Sequence, residues 1–323
     1  MKRLLEAVRN SGAVLVLLAT YVVFSVAAPS FFGPQNLLEI LHVVSPMIVV
    51  AAGMAIVVMS GKLDISVGST AYVASAIFAV IVRDSLLPFP AAVAVSIFVG
   101  LMLGLVNAII VVGLKINSLI ATLGTMIAFR GLGLSITDGG LIILPDAVKD
   151  FGNLAIGPIY LDTVLALVIL LVVQFVHRST SFGRQITAIG NNEDVERRIG
   201  IPVDRRTVAT LLLSGAFAAI GGVIYTLQVG VNTAKIGDGM EFTAVAAVVV
   251  GGVSLFGGRG NILTSVILGS MIFQIIRSGL QQVGANPYSY RLVEGVVIFI
   301  AMYADALKVG NGGSAGIRLF KKS

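Results

Sequence analysis

Residues 161–225 read LDTVLALVILLVVQFVHRSTSFGRQITAIGNNEDVERRIGIPVDRRTVATLLLSGAFAAIGGVIY. Two apolar runs, at 162–177 and 207–227, enclose a stretch dense in charge that includes Arg184, Glu193, Asp194, Glu196, Arg197 and Arg198. A helix crosses the ~30 Å hydrocarbon layer of a bilayer with about 20 mostly apolar residues. The two runs come within a few residues of that length. The stretch between them cannot follow them in, because charge at membrane depth is costly. The passage therefore predicts two membrane crossings joined by a charged segment lying on one face.

The same pattern recurs along the chain. Apolar runs read as spans lie at 12–28, 41–59, 67–82, 91–113, 117–136, 162–177, 207–227, 242–256, 261–281 and 291–307. Of the 323 residues, 57% are hydrophobic and only 12% charged, and the mean hydropathy is +1.00. A soluble domain carries roughly 25% charged residues to cover its core. The predicted class is an all-α, polytopic inner-membrane protein of about ten helices. Residues 1–310 are expected to form one transmembrane domain, with the charged segment at 178–206 and a flexible basic tail at 311–323. The first run resembles a secretory signal in its basic start and small-residue end, yet its length suits a retained first helix.

Lys and Arg accumulate on the cytoplasmic side of membrane proteins. With both termini inside, Lys2, Arg3, Lys62, Lys115, Arg184, Arg197, Arg206, Arg259 and Lys321 fall inside, against few basic residues outside. The charged segment is thus expected in the cytoplasm. The excess of Lys and Arg reflects orientation rather than nucleic-acid binding. The segment Thr137 to Asp162, rich in turn residues and acids, is expected outside.

The charged segment encodes a short helix with both ends specified. Asn191 and Asn192 suit its N-cap, and Glu193 and Asp194 suit the first turn, where the helix dipole favours negative charge. Glu193 with Arg197, and Asp194 with Arg198, are spaced as i,i+4 ion pairs. Gly200 suits a left-handed end, and Pro202 prevents resumption. Connectors in helical bundles usually need about 2–8 residues, and this one is far longer. A capped, charged helix beside the membrane reads either as a plain connector or, better, as a docking element for another protein.

At these residues the chain resembles a known family. FGRQITAIGNNEDVERRIGI is similar to the cytoplasmic coupling segment of permease subunits in sugar-type ATP-binding-cassette importers, the ribose and related monosaccharide group within the branched-chain amino acid/sugar permeases. GPQNLLEIL, SGKLDISVGS, INSLIATLGTMIAFRGL and EFTAVAAVVVGGVSLFGGRGN resemble further motifs of that family, in the same order. The resemblance implies the type II importer fold. It also implies a second permease subunit, alike or different, a cytoplasmic ATPase gripping the coupling helix, and an external sugar-binding protein. Gly190, Asn192, Glu193, Asp194, Arg197 and Gly200 are the residues it marks for ATPase coupling. Departures from the family pattern are Lys62-Leu63 before Asp64, Asp194-Val195 in the coupling helix, and Ile199. The implied cargo is a ribose-like monosaccharide; autoinducer-2, a nucleoside or a polyol are the alternatives.

Other residues fit this expectation. The sequence holds no GxxxxGK[ST] loop, so ATP would be held by a partner. Gln274, Ser278 and Gln281 make one face of a span polar, and polar faces in membranes look inward. They are candidate pathway residues, with Asn107, Asn117, Ser118 and Thr122. Asp64 and Ser66 suit a helix cap, and Gly257 and Gly258 a turn or gate. Arg130 lies within a span and calls for an acidic or backbone-carbonyl partner. Gly100 and Gly104 are four residues apart, as are Ser265 and Gly269, a spacing that suits close helix packing. An ion-coupled secondary transporter is less favoured, since Glu39, Asp64, Glu241 and Glu294 sit near span ends. The chain has no Cys and only two His, so neither a catalytic constellation nor a metal or cofactor is expected.

Overall fold

The computed structural model describes residues 12–312. The basic residues expected to anchor the two termini, and nearly all of the tail at 311–323, lie outside that range. Ten helices follow the apolar runs: α1 Gly12–Ala27, α2 Pro34–Met59, α3 Val67–Arg83, α4 Phe89–Ala108, α5 Ser118–Thr137, α7 Leu161–Ser179, α10 Val203–Val229, α11 Met240–Val250, α12 Ile262–Gln282 and α13 Pro287–Gly312. Shorter helices lie between them: α6 Asp146–Gly152, α8 Ser181–Asn191 and α9 Glu193–Arg198. Six of the described helices are long and apolar enough to cross a membrane, namely α2, α5, α7, α10, α12 and α4 with its π-helical extension to Gly113. The apolar helices α1, α3 and α11 are shorter. The run expected at 242–256 ends as helix at Val250, where Gly251 and Gly252 follow and Gly252 takes a positive φ of 118°.

The fold is not wholly α. Ile142–Ile143 (β1) pairs antiparallel with Val231–Asn232 (β4), and Ala155–Ile156 (β2) with Ile159–Tyr160 (β3). Both ribbons involve the turn-rich segment between α5 and α7 and lie at the end of the bundle away from α8 and α9.

α2 and α10 form the centre, with residues from Val44 to Met59 buried almost without interruption. Small residues bring the backbones together there. A Cβ on Gly100 would run into the Gly215 carbonyl of α10, and one on Gly104 into that of Leu211. The other expected pair works the same way, since a Cβ on Gly269 would strike the Ala247 carbonyl of α11. Close approach of this kind supplies dispersion contact where lipid gives no hydrophobic drive.

Pro46 sits inside α2 and has no N–H to give the carbonyl of His42. That carbonyl instead accepts a hydrogen bond from Gln228 Nε2 of α10 at 2.6 Å. The same amide nitrogen donates to Asp162 of α7, whose carboxylate lies 2.9 Å from His42 Nδ1. Tyr160 stacks on the His42 ring at 3.9 Å between centroids. One helix irregularity thereby becomes a knot joining three helices.

Candidate functional site

The charged segment folds as two helices meeting at Asn192. Thr180 accepts from the Gly183 amide at the start of α8, and Asn192 accepts from the Val195 amide at 3.1 Å at the start of α9. Gly200, with φ at 90°, closes α9. Of the two expected ion pairs only one forms. Arg197 reaches Glu193 at 3.2 Å and also Asp204 at 2.7 Å, whereas no ion pair joins Asp194 to Arg198 among the described residues. Arg206 ties α8 to α10 by donating to Gln185 and lying over the Phe182 ring. The outward side of α9 carries exposed Asp194 and Arg198 beside Val195, 48% exposed, and Ile199, 69% exposed. Two apolar side chains one turn apart thus stand free on a helix otherwise made of charge.

At the end of α8 three distant stretches converge backbone to backbone. A Cβ on Gly190 would strike the Met59 carbonyl and the Gly258 amide; one on Gly257 would lie 2.8 Å from Gly61 Cα. The Gly258 amide donates to the Met59 carbonyl at 3.0 Å, and Asn191 donates to the Gly258 carbonyl at 3.3 Å. Gly257 and Gly258 take φ of 84° and 67°, so only glycine fits there without strain. Beside this junction Lys62 Nζ pairs with Glu193 at 2.6 Å. Partial burial would raise the Glu193 carboxyl, but the hydrogen bonds and charges of Lys62 and then Arg197 outweigh it and hold it below the ordinary glutamate value.

A second polar centre is fully buried. Asp64 Oδ1 accepts from the Ser66 amide at 3.0 Å and Ser66 Oγ at 2.6 Å, and Oδ2 accepts from Ser214 Oγ at 2.7 Å. Asn107 donates to Ser66 Oγ at 2.7 Å and accepts from Thr125 at 2.6 Å. Ser118 and Thr122 of α5 accept from the Leu63 and Ile65 amides at 3.2 and 3.0 Å. Asn107, Ser118 and Thr122 therefore spend their polar atoms on the loop before α3 and on α5. Ser66 makes no side-chain cap on α3, because its hydroxyl is turned to Asp64. Asn117 caps α5 through the Leu119 amide. Gln274 donates to Ser278 at 3.0 Å, and both are half-buried while Gln281 is exposed.

Arg130 finds backbone carbonyls, those of Ala234 at 3.2 Å and Ile236 at 2.7 Å, and lies over Tyr72. The sequence reading missed Lys62 as a partner of Glu193, Ser214 and Thr125 in the buried centre, and the pairing of His42 with Asp162. Only the polarity of these residues inside apolar surroundings marks them in the sequence.

A family model described as the branched-chain amino acid transport system permease component matches residues 36–302. The chain belongs to that permease family. The permease is 30% identical over 302 residues to the probable ABC transporter permease protein YphD of Escherichia coli, covering 93% of this chain and 90% of that one. It is 28% identical to the autoinducer 2 import system permease protein LsrC of Photorhabdus luminescens, with 94% and 92% covered. It is 31% identical to the ribose import permease protein RbsC of Haemophilus influenzae, with 94% of each covered. The permease is accordingly a multi-pass membrane protein and a transport component.

Proposed function

We propose that the permease is the membrane half of an ATP-driven importer for a small, hydroxyl-rich solute such as a ribose-like sugar, and that a separate ATPase grips α9 from the cytoplasm. The observation that carries this reading is α9 itself: Val195 and Ile199 stand exposed among charges, on a helix held to the bundle by Lys62 and following directly on Gly190 at the end of α8. Exposed apolar side chains rimmed by charge mark protein contacts. The sequence has no nucleotide-cradling loop of its own, which suits a partner that holds ATP. Relatives named for ribose and for autoinducer 2 support a small polar cargo, delivered by an external binding protein. Gln274, Ser278 and Gln281 are the residues we assign to the pathway, and a second permease subunit would complete it. All ten apolar helices would cross or enter the bilayer as one domain, leaving both termini in the cytoplasm.

Val195→Asp with Ile199→Asp is expected to weaken ATPase retention on the purified permease by more than about tenfold, as loss of an interface anchor does, with the melting curve unchanged. Full retention of the ATPase by that variant would reject α9 as the grip. Uptake of ribose into vesicles should need ATP and survive a protonophore.

A further inference from the structure

Resting on the docking role proposed for α9, we infer that Ser60–Ser66 is the drive link of the permease, carrying movement of α9 into the buried centre between α4, α5 and α10. Each stage of the link is engaged. Gly61 lies backbone to backbone against Gly190 and Gly257. Lys62 holds Glu193 at 2.6 Å. The Leu63 and Ile65 amides donate to Ser118 and Thr122 on α5. Both amides thus meet hydroxyls one turn apart on the same helix. Asp64, between them, accepts from Ser214 of α10 at 2.7 Å and lies 3.5 Å from Asn107 Nδ2 of α4.

The link has little slack. Extended chain spans at most ~3.6 Å per residue, so Lys62 and Asp64 cannot separate further than about 7 Å. The lysine stem could flex, but the glycine junction has no side chains to absorb a shift. A displacement of α9 that carries the end of α8 with it must therefore either break the junction or move the loop, and the loop is bonded to three helices. Close-packed interiors respond to such a pull by moving as a body rather than deforming. Ser118, Thr122 and Lys62 thereby act as positioning residues for transport: they touch neither nucleotide nor solute, and transmit.

The test uses the complete transporter, permease with its ATPase, in nanodiscs. The permease has no cysteine, so Gly124→Cys gives a unique site for a fluorophore; Gly124 lies on α5 with open space about it. ATPγS should shift the emission of this label. In the pair Ser118→Ala and Thr122→Val the shift should fall about fivefold or more, within the usual range of coupling between sites, while the ATPase stays bound. Lys62→Gln should reduce it and Lys62→Arg restore it, a rescue that a merely structural role would not require. An undiminished shift in the hydroxyl pair would overturn the link, as would a label that does not respond at all with ATPase bound. Should the α5 pair fail to fold, the Lys62 variants decide by the same readout. Failure of the ATPase to bind the parent permease would instead sink the docking reading and the inference with it.

Discussion

A methyl group at position 190 would press on the Met59 carbonyl and the Gly258 amide, neither of which is a flexible side-chain tip. Overpacking of that kind costs about 1–3 kcal/mol, so Gly190→Ala should lower the melting temperature in detergent and loosen the ATPase together. Gly200→Ala has open space around it and meets only the left-handed backbone penalty of roughly 1–2 kcal/mol; it should leave the junction intact. At the other end of the bundle, Gln228→Leu strands the His42 carbonyl and takes a donor from Asp162. A buried carbonyl left unpaired costs about 1–3 kcal/mol, and thermal unfolding of that variant should show it. The sequence marked Glu193 with Arg197 because the two are one helical turn apart. It could not mark Glu193 with Lys62, which lie 131 residues apart and meet only through the bundle.

At the scale of elements, run length located the long helices and cap chemistry located α9, since both signals are local. Helix α8 escaped because its residues mix apolar and polar without a run long enough to read. The buried loop before α3 escaped for a different reason: its hydrogen bonds to α5 and α10 come from residues far away in the sequence. α9 also carries a pH dependence. The Glu193 carboxyl titrates below the ordinary value near ~4 in the folded state. Its contribution is therefore complete above that ordinary value and is lost as pH falls through the lower, folded one. Amide hydrogen exchange across α9 should stay protected as pH approaches ~4 and rise only below it. Glu193→Gln should remove this step, and an identical profile in that variant would count against the Lys62 pairing as its source.

For the whole molecule, a cysteine at Asp194 should react with impermeant reagents only from the inner face. One at Leu141, which is 69% exposed, should react only from the outer face. Reversed labelling would invert the arrangement proposed for the spans. Apolar runs made the layout of helices legible from the sequence. The β1–β4 ribbon and the buried polar centre were not, because both arise from pairing between distant stretches, and the local β2–β3 hairpin has strands of two residues, too short to show a pattern. The glycine junction has one more consequence, in the order of synthesis. Met59 and Gly61 leave the ribosome first, Gly190 much later, and Gly257 and Gly258 later still. The perch proposed for the ATPase therefore stays unfinished until most of the apolar helices have been made, and a half-built chain would present α9 without the support of Gly257 and Gly258.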